Sequence, residues 1–182
     1  MNLVSALADL CAGSPRAGNT HIIAIDGPAG AGKTTLALQI SQALTSRFSI
    51  EVVHMDDLYN GWDGALGENL TEQLSKIIDA QKKSQNYLLP HFDWNANKYS
   101  TPRNLKSPQI LILEGVGSAR EVVRNSATTT IWIEVERAIG IKRVLARDGD
   151  EIESHMTQWL VDQEIYFTSD KTRESAQFVL ST

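Results

Sequence analysis

Short apolar runs and longer amphipathic stretches alternate along most of the chain. Apolar runs of strand length span residues 22–25, 52–55, 110–113, 131–135 and 178–180. Between them, apolar side chains recur every three or four positions, which predicts helices over residues 35–48, 71–84, 119–125, 138–147 and 154–168. Strands that are apolar throughout and alternate with helices are typical of a parallel sheet covered on both faces. The pattern therefore predicts a doubly wound α/β domain with five parallel strands.

The N-terminal segment and the composition narrow this picture. Leu3, Leu7 and Leu10 have helical spacing, which predicts a small helix within residues 1–19 that lies on the core. A length of 182 residues suits one buried core and is short for two domains. The net charge of −5 argues against nucleic acid or an anionic membrane as a partner.

Cysteine usage and hydropathy bear on where the protein acts. Cys11 is the single cysteine, which excludes an internal disulfide and is typical of a reducing cytoplasm. No apolar run approaches the length of a membrane span, and residues 1–13 lack the basic region of a signal peptide. We therefore expect a cytoplasmic protein, while the sequence leaves its oligomeric state open.

Residues 27–34 read Gly-Pro-Ala-Gly-Ala-Gly-Lys-Thr, which matches the phosphate-binding pattern GxxxxGK[ST]. A predicted strand precedes this segment and a helical pattern follows it, which is the context that the motif requires. Backbone N–H groups of such a loop surround phosphate oxygens, Lys33 reaches the β- and γ-phosphates, and the Thr34 hydroxyl holds Mg²⁺. The sequence thus predicts a P-loop NTPase fold whose nucleotide contacts are Gly27, Pro28, Ala29, Gly30, Ala31, Gly32, Lys33, Thr34 and Thr35.

Carboxylates follow two of the predicted strands, at the sheet edge where the phosphates would lie. Asp56 and Asp57 come directly after the second apolar run, and Glu114 comes directly after the third. Carboxylate oxygens bind Mg²⁺ and also orient or deprotonate an acceptor hydroxyl. We expect Thr34, Asp56 and Glu114 at Mg²⁺, and either Asp56 or Asp57 at the acceptor. Turn or cap roles for the aspartates, and a backbone-bonded carboxylate at Glu114, are the alternative interpretations.

Two arginines lie one helical turn apart near the end of the fourth predicted helix. Arg143 and Arg147 would offset charge on a migrating phosphoryl group, because planar guanidinium groups bind phosphate at several points. We expect a lid over residues 143–153. The alternative interpretation is a solvated basic face at a helix C-terminus, which the helix dipole favours on its own.

Residues 85–107 show little periodicity and contain prolines, which predicts an irregular loop. The aromatic content of this segment argues against disorder, so we interpret it as an acceptor-site loop. Trp62 and Trp94 would stack against a flat acceptor such as a base, or alternatively anchor the segment to the core. His54 and His91 have no metal or triad partner at a suitable spacing, so we interpret both as packing or hydrogen-bonding side chains.

These motifs together resemble the uridine kinase-like branch of the P-loop kinases. The run from Asp26 to Thr35 is similar to the opening of that branch, and Asp56-Asp57-Leu58-Tyr59 resembles its Asp-Ser-Phe-Tyr element. Phe92-Asp93-Trp94 is similar to its Phe-Asp-His-Pro element, and Ile112-Leu113-Glu114-Gly115 to its Walker B segment. Residues 143–148 resemble its arginine-bearing lid, and residues 55–64 are most similar to a short bacterial subgroup.

The resemblance implies an enzyme that moves the γ-phosphate of ATP to a hydroxyl of a small molecule, with ATP and Mg²⁺ as its cofactors. It implies catalytic roles for Lys33, Asp56, Arg143 and Arg147. It also implies that residues 57–108 bind the acceptor through the side chains of Asp57, Tyr59, Trp62, Asp93 and Trp94.

The alternative interpretation is an ATP-binding regulatory or partner protein with slow hydrolysis and no small acceptor. The run Asn97-Lys98-Tyr99-Ser100 lacks the acid of the guanine-reading Asn-Lys-x-Asp element, which argues against a GTPase. A pocket that faces the phosphate loop would favour the enzyme, whereas a flat exposed surface would favour the partner protein.

Overall fold

Nine strands and six helices make up the structure, a computed structural model that describes residues 2–182. The strands are β1 (His21–Asp26), β2 (Ile50–His54), β3 (Tyr87–Leu89), β4 (Phe92–Asp93), β5 (Lys98–Tyr99), β6 (Arg103–Leu105), β7 (Ile110–Glu114), β8 (Thr129–Glu134) and β9 (Phe178–Ser181). The helices are α1 (Leu3–Leu10), α2 (Lys33–Leu44), α3 (Glu68–Lys82), α4 (Glu121–Arg124), α5 (Arg137–Asp148) and α6 (Glu153–Asp170). Single turns of 3₁₀ helix lie at Met55–Asp57 and Asp150–Ile152.

Five of these strands form one parallel sheet in the order β2-β7-β1-β8-β9. The five predicted apolar runs correspond to these strands, and helices cover both faces. The predicted doubly wound α/β fold is therefore confirmed.

The central strand β1 shares its side chains between two apolar cores. Ile22 and Ala24 join the core that also contains buried residues of α3 and α6, whereas Ile23 and Ile25 join the core with α1 and α2. All four side chains are fully buried. A strand enclosed on both faces needs an apolar residue at every position, and each buried isoleucine contributes about 1.5–3 kcal/mol. This requirement explains why the apolar run has no polar gap.

The register of the sheet brings the predicted functional segments to one edge. Glu114 at the end of β7 pairs with Ile25 of β1 on one side and with His54 of β2 on the other. The phosphate loop follows β1 directly, and the turn with Asp56 follows β2 directly. Three segments that lie far apart in the sequence therefore meet at the carboxyl ends of adjacent strands, as expected for ligand sites in such sheets.

Residues 85–107 differ from the predicted irregular loop, which is a correction to the sequence-based expectation. β3 pairs antiparallel with β6, and β4 pairs antiparallel with β5, so that one ribbon continues into the other. Each strand contains only two or three residues, which is too short for an alternating pattern to be visible in the sequence. Asp93 closes the turn of the inner ribbon, because its Oδ1 accepts the N–H groups of Asn95 and Ala96, both at 3.0 Å.

Several element boundaries also differ from the prediction. The predicted helix over residues 119–125 is reduced to the single turn α4, and α3 begins at Glu68, before the predicted start at residue 71. The N-terminal helix α1 lies on the core through Leu7 and Ala8, while the first of the predicted residues 1–19 lies outside the described range. Among residues 2–182, no helix combines the length and apolar character needed to cross a membrane.

Candidate nucleotide-binding and phosphotransfer site

Lys33 occupies the centre of the phosphate-binding loop. Its ammonium group donates hydrogen bonds of 2.8 Å to the carbonyl oxygens of Gly27 and Pro28, and its side chain is buried. Burial lowers the pKa of Lys33, and the carboxylates of Asp26, Glu114 and Asp56 oppose this shift. The Lys33 ammonium group thus lies in the phosphate loop and is close to three carboxylates from neighbouring segments.

Asp26 is a functional residue to which the sequence analysis assigned no role. Its carboxylate is fully buried at the end of β1 and accepts backbone N–H groups of Gly27, Gly117 and Ala119 at 2.8, 3.1 and 2.9 Å. Burial raises the pKa of Asp26, and these donors, with Lys33, oppose that shift. An acid at the end of an apolar strand is the signal that identified Glu114, and it would also have identified Asp26.

Glu114 connects the phosphate loop to strand β2. Its Oε1 accepts the Thr34 hydroxyl at 3.0 Å and also contacts Nδ1 of His54, while the Glu114 side chain is buried. The hydrogen bond with Glu114 raises the pKa of His54. The contact agrees with the interpretation of His54 as a hydrogen-bonding side chain.

The neighbouring residues Asp56 and Asp57 have different surroundings. Asp56 as a whole residue is exposed to solvent. Its carboxyl group is nevertheless surrounded by protein atoms, and this desolvation raises its pKa, as does the negative charge of Glu114. Lys33 and Arg147 act on Asp56 in the opposite direction. Asp57 instead pairs with His91, whose Nδ1 lies 3.0 Å from its Oδ1. The structure thus brings Asp56 near Lys33 of the phosphate loop and pairs Asp57 with His91, next to β4 of the inner ribbon.

The oxygen atoms of Thr34, Glu114 and Asp56 fit the requirements of a magnesium ion. Mg²⁺ is bound by one or two carboxylates, with water and substrate phosphates completing its octahedral coordination. Within residues 2–182, no group of three or more His, Cys, Asp or Glu side chains is arranged as a preformed metal cage. A hydroxyl and two carboxylates at the mouth of the loop nevertheless match the donor set of a site that nucleotide phosphates would complete.

The structure separates the two predicted arginines. Both are exposed on α5, but Arg143 donates to the carbonyl of Gly30 at 3.3 Å and to the Thr182 hydroxyl at 3.1 Å. Arg147 forms two hydrogen bonds of 2.6 Å with Asp148, and this contact raises its pKa, as do Asp56 and Glu114. Arg147 therefore lies close enough to Asp56 and Glu114 for their charges to act on it, whereas the hydrogen bonds of Arg143 are with Gly30 and Thr182.

Trp62 and Trp94 belong to a packed cluster of aromatic rings. Trp62 stacks on His155 with ring centroids 5.0 Å apart, and it also meets Trp94 and Trp159 edge-on. Nε1 of Trp94 donates to the Asp56 carbonyl at 3.0 Å. These contacts match the interpretation in which the tryptophans anchor the segment, because Trp62 already uses its ring surface in contacts within the protein.

Tyr59 and Asp93 also have structural partners. Tyr59 is 1% exposed and donates its hydroxyl to the Val116 carbonyl at 2.7 Å, so the structure places it in the core rather than at an acceptor-facing surface. Asp93 uses one carboxylate oxygen for the turn of the inner ribbon, as described above. His155 and Trp159, which complete the cluster, belong to α6 and carried no signal in the sequence because their partners lie more than ninety residues away.

Comparison with known proteins identifies the family of the chain and proteins that share its fold. A family model described as an AAA domain matches residues 23–165, which is more than half of the chain. Cytidylate kinase from Clostridioides difficile (strain 630) is 23% identical over 136 residues, which cover 74% of this chain and 59% of that kinase. The match thus includes less than two thirds of the length of that relative.

Solved structures share the fold over nearly the whole chain. One is described as a possible uridine kinase from Bacillus stearothermophilus, with a TM-score of 0.67 at 23% identity, covering 97% of this chain and 96% of that one. Another, provisionally described as a fructose transport system kinase from Silicibacter sp. TM1040, has a TM-score of 0.64 at 19% identity and covers 100% of both chains. At these identities the likeness shows a common P-loop kinase fold.

Proposed function

The chain belongs to the AAA domain family, and from this membership and the site geometry we propose that it transfers the γ-phosphoryl group of ATP to a hydroxyl of a small molecule. The observation that carries the proposal is the grouping of Lys33, Asp56, Glu114 and Arg147 at the mouth of the phosphate loop. In this position the two cations would bind phosphate oxygens. The two carboxylates would bind a divalent metal, and one of them would accept the proton of the acceptor hydroxyl.

Each member of this group has a role that follows from its surroundings. Lys33 would leave the loop carbonyls and bind the β- and γ-phosphates, because phosphate oxygens are stronger acceptors for an ammonium group. Asp56 would orient or deprotonate the acceptor hydroxyl, since it is an exposed residue near Lys33 of the loop. Arg147 would stabilise the charge on the migrating phosphoryl group after leaving Asp148.

Magnesium would be held by Thr34, Glu114 and Asp56, and when bound it supplies positive charge that stabilises the phosphate oxygens during transfer. The chain's own contribution is to position the reactants, which accounts for most of the rate in phosphoryl transfer. Residues 143–153 would form the lid that excludes water from the closed site.

The acceptor side of the site favours an uncharged hydroxyl compound over a nucleotide. Asp56, Asp57 and Asp93 contribute carboxylates there, and His91 is paired with Asp57. Arg103 of the outer ribbon bonds instead to Glu51 and to the Val52 carbonyl at the edge of the sheet. Arg147, which lies near Asp56, is assigned to the migrating phosphoryl group. A phosphate on the acceptor would thus meet these carboxylates without a guanidinium partner of its own among the residues named here, which costs affinity.

The proposal is tested by measuring ATP turnover with Mg²⁺ against a panel of nucleosides, sugars, vitamin precursors and cytidine monophosphate. We expect one uncharged hydroxyl compound to stimulate turnover and to appear as a phosphorylated product. Preference for cytidine monophosphate would contradict the assigned acceptor class. A slow rate that no acceptor changes would instead favour the regulatory ATP-binding protein.

A further inference from the structure

Two glycines from distant parts of the chain touch through their backbones. Gly30 lies in the phosphate loop with a φ of +76°, and Gly140 lies within α5. A Cβ atom on Gly30 would be 2.2 Å from the carbonyl oxygen of Gly140, and a Cβ atom on Gly140 would be 2.6 Å from the carbonyl oxygen of Ala29. Neither position has room for a side chain, so helix and loop are in direct backbone contact.

The phosphate-binding pattern does not demand either glycine. GxxxxGK[ST] specifies glycine at positions 27 and 32 of this chain and leaves position 30 open. Gly140 has an ordinary helical backbone, where alanine would be favoured because glycine has one of the lowest helix propensities. At position 30 the positive φ already favours glycine, whereas at position 140 the close approach of the loop to α5 is the feature of the structure that requires it.

Other contacts hold the same part of the loop from both sides. Arg143 of α5 donates to the Gly30 carbonyl at 3.3 Å, and the Ala29 N–H donates to Oε1 of Gln163 in α6 at 3.1 Å. Arg143 and Arg147 follow Gly140 by three and seven residues, which places all three on one face of α5. Arg147 lies about 10 Å further along the helix axis than Gly140.

We propose that Gly140 is a positioning residue that sets the phosphate loop at a defined distance from Arg147 through its backbone contact with Ala29 and Gly30. The inference rests on the proposed function, because it assigns Arg147 to the same phosphate groups that the loop binds. Arg143 acts in this account through the Gly30 carbonyl, as a second tie between helix and loop. A displacement of either element changes the geometry at the phosphates without removing any group that touches them.

The test compares substitutions that alter the contact with substitutions that alter only the helix. Gly140→Ala introduces the 2.6 Å approach to the Ala29 carbonyl while raising helix propensity, so a loss cannot come from a weakened helix. Ala138→Gly, at an exposed position on the opposite face of α5 and outside residues 143–153, weakens the helix without facing the loop. Calorimetric titration with ATP and with inorganic tripolyphosphate, well below the melting temperature, measures the affinity of the folded protein.

We expect Gly140→Ala to weaken binding of both probes about tenfold, because small displacements of binding groups are costly. We expect Ala138→Gly to bind both probes within about twofold of the unmodified protein. Equal affinities for Gly140→Ala and the unmodified protein would overturn the inference, as would an equal loss in Ala138→Gly. Failure of the unmodified protein to bind ATP would instead overturn the proposed function.

A second pair keeps the inference testable if Gly140→Ala does not fold. Arg143→Gln and Lys142→Gln remove the same charge from adjacent exposed positions of α5, but only Arg143 bonds to the loop. We expect ATP binding to weaken several-fold in Arg143→Gln and to stay unchanged in Lys142→Gln. Equal affinities in the two variants would contradict the role assigned to the helix–loop contact.

Discussion

The Tyr166 hydroxyl donates a hydrogen bond of 3.3 Å to the carboxylate of Asp26, which joins α6 to the end of the central strand. Backbone N–H groups from the phosphate loop and from the turn after β7 converge on the same carboxylate. One buried side chain thus satisfies donors from three segments that surround the proposed phosphate site. An unsatisfied buried donor costs about 1–3 kcal/mol, so this arrangement is sensitive to the loss of either oxygen.

Asp26→Asn is expected to lower the free energy of unfolding by about 3 kcal/mol, because the new amide N–H group would face backbone donors. Tyr166→Phe removes a single donor and is expected to cost about 1 kcal/mol. Urea unfolding of the two variants beside the unmodified protein measures both values. If Asp26→Asn unfolded at the same urea concentration as Tyr166→Phe, the carboxylate would not have the central role described here.

The different surroundings of the two aspartates predict different kinetic effects. Asp56→Asn is expected to lower kcat by about 100-fold or more, because Asp56 lies with Lys33 and Arg147 at the phosphate loop. Asp57→Asn is expected to alter mainly the KM for the acceptor, because Asp57 pairs with His91 on the acceptor side. Steady-state kinetics with the acceptor found in the turnover screen tests both. A larger loss of kcat in Asp57→Asn would assign the base to Asp57.

Lys33→Ala is expected to abolish phosphoryl transfer, because the loop would lose the cation that binds the migrating group. Lys142→Ala is the matched control, since Lys142 is exposed on α5 and lies outside both the predicted acceptor region and the predicted lid. Product formation from ATP and the identified acceptor measures the difference. Wild-type turnover in Lys33→Ala would refute the assignment of this loop as the catalytic phosphate site.

The stack of Trp62 on His155 joins the segment between β2 and α3 to α6. A double-mutant cycle with Trp62→Leu and His155→Ala is expected to give a coupling energy of about 0.5–1.5 kcal/mol, typical of paired rings. The free energies of unfolding of the two single variants and the double variant provide the measurement. Strictly additive losses would show that the two rings do not stabilise each other.

Cys11 is expected to resist alkylation in the folded protein. The thiol is 4% exposed, and burial raises its pKa from 9.0 to about 11, so the reactive thiolate is scarce near neutral pH. Because the folded state favours the neutral thiol, the unfolded state loses this proton at a lower pH than the folded state does. The free energy of unfolding is therefore expected to fall as the pH rises from about 9 towards 11. Iodoacetamide labelling at pH 8, with and without urea, tests this prediction. Equal labelling rates would contradict the buried position of Cys11.

Most of the correct predictions rest on residues that are adjacent in the sequence. The phosphate loop could be identified because its strand, glycines, lysine and helix are contiguous, so local geometry alone brings them together. The five sheet strands were identifiable because burial on both faces leaves an uninterrupted apolar run. Asp56 and Glu114 could be placed at one edge because parallel strands end at the same side of a sheet.

The antiparallel ribbons over residues 85–107 could not be predicted in the same way. Strands of two or three residues show no periodicity, and their stability comes from pairing and from packing against Trp94 and its neighbours. Likewise, the sequence offered stacking and anchoring as alternatives for Trp62. The contacts of Trp62 with His155 and Trp159 depend on the position of α6, which the sequence around Trp62 does not reveal.

The sequence by itself determined the fold class, the phosphate loop and the acids at the strand ends, because each depends on neighbouring residues or on the rules of parallel sheets. Tertiary structure alone decided that Asp26 gathers donors from three segments, that Arg143 bonds to the loop while Arg147 lies with Asp56, and that Gly140 contacts the loop directly. These relationships join residues up to 140 positions apart. They arise from helix packing on the sheet, which no local pattern records.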